Sequence, residues 1–141
     1  MVQVRLQVED KELVRLLRDP QFLQGPMQRF LKRSALTVEA KAKEKAPVDT
    51  GRLANSIASE IRGTRAIVGT KVFYAPYVEY GTRPHWPPRA ALEPWARRHG
   101  FQGRSGVFLL ARAIARRGTR AQPFLIPALK ESLDEIREFL N

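Results

Sequence analysis

Asp49, Thr50 and Gly51 form the short motif in this sequence that most suggests catalysis. The triplet is typical of aspartic proteases, in which two aspartates share a proton because two ionised carboxylates cannot lie in contact. Those enzymes place it after an apolar strand and before a small residue, whereas here Lys-Glu-Lys-Ala-Pro at 43–47 precedes it and bulky Arg52 follows. Without such strands, Asp and Thr beside a permissive glycine are typical of a helix cap or turn. We therefore predict a structural role for the triplet.

Other catalytic chemistries lack the residues that they need. The chain has no cysteine, which excludes a thiol nucleophile and a cysteine-based metal site, and His85 and His99 are fourteen residues apart. No Gly-x-Ser-x-Gly elbow and no glycine-rich phosphate loop occurs. Glu79 and Glu93 are the acidic residues between 62 and 120, too few for a magnesium-dependent nuclease. We predict no enzyme activity, no catalytic residue, no cofactor and no metal site.

Positive charge is concentrated in residues 62–120. This segment has 12 basic and two acidic residues, a formal net charge of +10, against +3 for residues 1–61 and −2 for residues 121–141. Such a field favours an anionic partner, which could be nucleic acid, an acidic protein or a membrane face. The alternative is a solvated basic surface from an arginine-rich genome. The candidate contacts to DNA or a partner lie where the least regular structure is predicted: Arg83, Arg89, Arg97, Arg98 and Arg104.

The hydrophobic pattern predicts an α+β fold. Strict alternation over residues 2–8 is typical of a half-buried strand, and apolar residues three and four apart over 27–45 indicate a long amphipathic helix. We expect a small antiparallel sheet packed against that helix and a C-terminal helix, with a basic loop insertion. The length of 141 residues fits a single domain, 1–141, with the insertion at 83–121. The other predicted elements are a helix at 11–18, strands at 56–62 and 65–70, a short helix near 89–98, a segment at 107–117 that we favour as a helix over a strand, and a helix ending at 140.

Three motifs follow one another in a characteristic order. They are APVDTGRLANSI at residues 46–57, YAPYVEYGT at 74–82 and QPFLIPAL at 122–129. Together they resemble the tail-component, or tail-completion (neck), protein family of long-tailed double-stranded-DNA bacteriophages, over roughly residues 27–141. The residues that carry the family motifs, for which the resemblance implies structural roles, are Asp49, Thr50, Gly51, Leu53, Tyr77, Glu79, Gly81, Thr82, Pro123 and Phe124.

The resemblance implies a small structural protein of the virion, at the interface between head and tail and without catalysis. Its implied partners are the tail terminator, the tail tube and the head–tail connector, and its implied assembly is a hexameric homo-oligomeric ring, made in the host cytoplasm. Non-specific contact with the DNA end is a further expectation, and a membrane partner is not expected. A tail-terminator ring protein and a non-enzymatic DNA-binding module are the alternatives.

An aromatic-rich stretch precedes and enters the basic segment. We expect it mainly to pack in the core and in turns, and a subunit interface is the alternative because aromatic residues are enriched there. Its members are Phe73, Tyr74, Tyr77, Tyr80 and Trp86.

Overall fold

The computed structural model describes residues 2–6, 15 and 25–140. A three-stranded sheet and several helices confirm the predicted α+β class. The predicted helix at 11–18 lies, apart from helical Arg15, outside the described residues. The elements are β1 (Val2–Leu6), α1 (Pro26–Lys45), α2 (Arg52–Ser56), β2 (Ala58–Arg62), β3 (Arg65–Thr70), α3 (Ala75–Tyr80), α4 (Arg89–Arg98), α5 (Gly103–Arg117) and α6 (Leu125–Glu138).

The described chain forms two compact units. The first, the sheet unit, contains the described residues up to Ala75 together with those from Pro123 onward. The second, the hairpin unit, is residues 76–122. The sheet unit therefore contains α1 and α6 from opposite halves of the sequence, and the hairpin unit contains the basic insertion.

The sheet has the strand order β1-β3-β2, with both neighbouring pairs antiparallel. Val68 in the central strand is opposite Val4 on one side and Ser59 on the other. Because side chains alternate along a strand, Ala66, Val68 and Thr70 lie on one face, and all three are buried. Gly63 makes the turn between β2 and β3 with a φ of 58°, a conformation that glycine adopts without strain.

Helix α1 packs against the sheet on one side and α6 on another. Its length and register match the prediction from spacing, because apolar residues repeat every three or four positions and Pro26 occupies the first turn. Two ion pairs join α1 to α6, from Lys41 to Glu135 at 3.0 Å and from Lys45 to Glu131 at 2.7 Å. The buried residues of α1 are Met27, Leu31, Ser34, Ala35, Val38 and Ala42.

The insertion contains two helices, in the segment where we predicted a basic loop with a short helix near 89–98 and, by preference, a helix at 107–117. Its prolines and glycines delimit helices: Pro88 is the N-cap of α4, and Gly100 follows the C-cap with a φ of 82°. The Phe101 amide donates to the Ala96 carbonyl at 2.9 Å, which is the long hydrogen bond of a Schellman motif. Helix α4 is within the predicted 89–98, and α5 confirms the preference for a helix at 107–117. The two helices share a small core of Leu92, Ala96, Val107 and Ala111.

Candidate interaction surface

The Asp49-Thr50-Gly51 triplet leads into helix α2. Gly51 is the N-cap, with φ 78° and ψ −5°, and its carbonyl accepts from the Asn55 amide at 2.9 Å. Glycine has no side chain, so the N-cap residue itself offers no side-chain oxygen to the helix. Asp49 and Thr50 are exposed just before it. The glycine backbone therefore makes the turn.

The rest of the first motif anchors α2 to the sheet. Leu53 and Ile57 are buried, and the Ser56 hydroxyl donates to the Leu53 carbonyl at 2.7 Å. The Ser56 Oγ also lies 2.6 Å from Thr70 Oγ1, at the end of β3. Thr70 Oγ1 in turn accepts from the Val72 amide at 3.1 Å. These contacts give the motif a structural use, and Thr70 is a residue that the sequence did not single out.

Gly81 and Thr82, at the end of the second motif, pair with a distant segment. Thr82 and Thr119 exchange backbone hydrogen bonds at 3.1 and 3.3 Å, and their hydroxyl oxygens lie 2.9 Å apart. A Cβ on Gly81 would lie 2.5 Å from the Thr119 carbonyl oxygen. A Cβ on Gly118 would overlap the Thr82 carbonyl oxygen. Only glycine fits at either position. We call this pairing the stem of the insertion.

Sequence reasoning missed the stem, although a signal for it is present. Gly-Thr-Arg occurs twice, at 81–83 and at 118–120, once at each end of the insertion. In the structure, the two copies pair antiparallel through Thr82 and Thr119. A repeated turn-forming tripeptide that flanks an insertion is therefore a sign of its closure.

The remaining motif residues divide between core and surface. Phe124 and Leu125 of the third motif are fully buried, whereas Pro123 is exposed. Glu79 is only 2% exposed, and Tyr77 is 57% exposed.

The aromatic stretch does not pack in the core as we mainly expected. Four of its side chains are exposed and one is half-buried, because α3 and the adjoining turns present them to solvent. The exposed four are Phe73, Tyr77, Tyr80 and Trp86.

All five candidate arginines are exposed, at the ends of the insertion helices or beside the stem. Arg97 and Arg98 lie in the last turn of α4, where a positive charge favours the helix dipole, and Arg97 approaches Glu93 at 3.9 Å. Arg89 and Arg104 lie in the first turns of α4 and α5, which contain no acidic residue. A cation at a helix N-terminus opposes the dipole, so helix stability does not explain these two residues.

Residues 76–122 carry nine arginines, no lysine and two glutamates. Their formal net charge of +7 is most of the +11 of the whole chain. The described residues contain no group of three or more His, Asp or Glu side chains that could hold a metal ion. Among the same residues, no helix is long and apolar enough to cross a membrane. The hairpin unit is thus a cationic surface with exposed aromatic residues.

Residues 24–81 match the family HK97-gp10_like, described as "Bacteriophage HK97-gp10, putative tail-component". The matched range contains α1, the sheet hairpin, the whole first motif and the second motif as far as Gly81. No curated protein and no solved structure was found to match the chain. The match confirms the predicted resemblance to a bacteriophage tail-component family over residues 24–81, a range that excludes the third motif.

Proposed function

We propose that the protein is a structural component of the phage virion at the interface between head and tail. In this proposal it is a non-catalytic tail-completion protein that forms or joins a ring on the tail end, through which DNA passes. The observation that carries the proposal is the match of residues 24–81 to a tail-component family. The whole chain acts as one tail-completion-like domain, with residues 83–121 as its insertion.

The charge distribution supports a location next to an anionic structure. Duplex DNA carries one negative charge per roughly 1.7 Å of axis, and exposed arginines would hold its end through phosphate contacts. Such contacts do not depend on base sequence, which suits a channel that DNA must traverse. An acidic surface on an adjacent protein ring would be the alternative anionic partner. The proposed contacts are Arg83, Arg89, Arg97, Arg98 and Arg104.

Complementation of a phage from which this gene is deleted tests the proposal. Without the protein, the lysate should contain filled heads and separate tails when viewed by electron microscopy. Supplying the wild-type chain from a plasmid should restore joined particles, and the protein should be found in purified virions. Joined, infectious particles without the protein would overturn the proposal.

The net charge of the hairpin unit also favours a second function, that of a DNA-binding module outside the virion. Such a module would bind free duplex with an affinity whose logarithm falls linearly with the logarithm of salt concentration. A neck protein should bind free duplex weakly and purified tails well. Fluorescence anisotropy with a short duplex, measured at several salt concentrations, separates the two functions.

A further inference from the structure

The outer side of α5 combines apolar and cationic side chains. Phe108 and Leu109 are 56% and 60% exposed, on the side of the helix away from buried Val107 and Ala111. Arg112 follows Phe108 by four residues and Leu109 by three, and Arg116 follows Arg112 by four, so these four side chains lie along one face. The Trp86 ring extends it, with its centroid 6.1 Å from that of Phe108. We call this surface the α5 face: Trp86, Phe108, Leu109, Arg112 and Arg116.

The hairpin unit leaves the α5 face exposed to solvent. Three large apolar side chains of this face, those of Trp86, Phe108 and Leu109, are exposed to water. Burying them against a partner would be favourable. The unit has two acidic residues: Glu79 is buried, and Glu93 lies beside Arg97 on α4. Neither is on α5, so no carboxylate of this helix neutralises Arg112 or Arg116.

The composition of the α5 face indicates which class of partner binds it. Tryptophan, phenylalanine and arginine are enriched at protein–protein interfaces, and lysine is depleted; residues 76–122 contain no lysine. Phosphate groups would neutralise the two arginines but would leave Phe108 and Leu109 in water. A second copy of this chain that presented its own α5 face would bring arginines against arginines, because α5 contains no acidic residue.

We infer that the α5 face docks onto another protein of the virion, at an apolar patch bordered by carboxylates. The identity of the partner as a virion protein rests on the proposed function. The arginines would pair with the carboxylates of that patch, and Trp86, Phe108 and Leu109 would fill its apolar centre. The surface differs from the five candidate arginines, none of which belongs to the α5 face.

Binding to tails purified from the gene-deleted phage tests the inference. The variants are Phe108→Ser with Leu109→Ser, which removes the apolar centre, and Arg112→Glu with Arg116→Glu, which reverses the charges. Leu109→Ser alone leaves the Trp86–Phe108 contact in place and serves if the first variant does not fold. The matched control is Leu36→Ser with Val48→Ser, which changes two exposed apolar residues of the sheet unit. Circular dichroism checks the helix content of each chain.

We expect each α5-face double variant to bind tails at least tenfold more weakly than the wild type, and the control to bind normally. Binding of a short free duplex should be unchanged by the serine variant. Normal tail binding by both α5-face variants would overturn the inference. So would a serine variant that loses duplex affinity or self-association but keeps tail binding, since the face would then serve DNA or a second copy. Failure of the wild-type protein to bind tails would overturn the proposed function, and this inference with it.

Discussion

Ser34 is a buried polar residue in the middle of α1. It is 1% exposed, and its hydroxyl has no hydrogen-bond partner among the described residues. An unsatisfied buried hydroxyl costs about 1 kcal/mol or more, and alanine is also the better helix former. We expect Ser34→Ala to raise the free energy of unfolding by about 1 kcal/mol in a denaturant titration.

Ser132 in α6 provides the matched control for this substitution. It is equally buried, but its hydroxyl donates to the Ala128 carbonyl at 2.7 Å. Ser132→Ala removes a hydrogen bond that is made, so it should be neutral or destabilising by up to about 1 kcal/mol. A destabilising Ser34→Ala would mean that the Ser34 hydroxyl has a partner in solution.

Glu39 connects α1 to the sheet and gives stability a pH dependence. Its carboxylate accepts from Lys43 Nζ and from Ser59 Oγ, both at 2.6 Å. Burial raises the pKa of Glu39, but these two hydrogen bonds and the Lys43 charge outweigh burial, so the pKa is lowered below its ordinary value of 4.5. A lowered folded-state pKa means that the ionised carboxylate stabilises the fold above pH 4.5 and that this stabilisation is lost as the pH falls through the folded pKa.

We therefore expect Glu39→Gln to be less stable than the wild type by about 1 kcal/mol at neutral pH. The difference should shrink as the pH falls below 4.5. Thermal denaturation between neutral pH and pH 3 measures it. Ser59→Ala should show a smaller change in the same direction, because it removes one donor of the two. A difference that is constant with pH would show that ionisation of Glu39 does not stabilise the fold.

The stem depends on Gly118. Its φ of 70° and ψ of −159° belong to a region that essentially only glycine adopts, and a Cβ would overlap the Thr82 carbonyl oxygen. Gly118→Ala should therefore destabilise the hairpin unit by about 3 kcal/mol. Hydrogen exchange of the α4 and α5 amides reports this change directly.

Gly100 is the control for the stem substitution. Its φ of 82° is also positive, but nothing lies within 4 Å of the position where a Cβ would be. Gly100→Ala should cost only the backbone strain, about 1 kcal/mol. Equal costs at Gly100 and Gly118 would mean that the stem contributes little to the stability of the hairpin unit.

The sequence predicted the elements whose signals are local. Helix α1 was predictable because its apolar residues recur at helical spacing, and β1 because its residues alternate. In the insertion, helices near 89–98 and at 107–117 were predicted, but residues 99–106 were predicted as loop because their glycines were interpreted as breakers of structure, whereas α5 begins at Gly103. The Ser56–Thr70 contact could not be predicted from spacing, because only the fold brings these residues together, whereas the repeated Gly-Thr-Arg was an overlooked signal for the Thr82–Thr119 contact.

The two units of the molecule differ in how much apolar surface their helices bury. The core that α4 and α5 share consists of Leu92, Ala96, Val107 and Ala111, with Leu110 and Ile114 partly buried. Helix α1 is covered by both the sheet and α6. We expect amides of α4 and α5 to exchange at least about tenfold faster than central amides of α1, as measured by mass spectrometry. Equal protection of the three helices would show that the hairpin unit opens only with the rest of the molecule.

The exposed arginines of α4 can be tested for a role in virion assembly. Arg97→Glu with Arg98→Glu changes two exposed residues of α4 and should leave the helix content unchanged. In complementation of the gene-deleted phage, it should yield tails that do not join heads. Arg29→Glu with Lys32→Glu makes the same change of charge on exposed positions of α1 and should complement normally. A normal particle yield from the first variant would remove Arg97 and Arg98 from the proposed contacts.

Because the stem pairs the two ends of the insertion, the insertion could be removed from the chain. Thr82 and Thr119 exchange both backbone hydrogen bonds, which is the pairing that flanks a two-residue β-hairpin turn. Replacing residues 83–118 by Asn-Gly would therefore reconnect the chain without moving its two ends. Such a shortened protein should keep the sheet, α1 and α6, and it should lose most of the positive charge of the chain. In the same way, the insertion could be transplanted between two paired strands of an unrelated scaffold, where its docking chemistry could be studied in the absence of the phage fold.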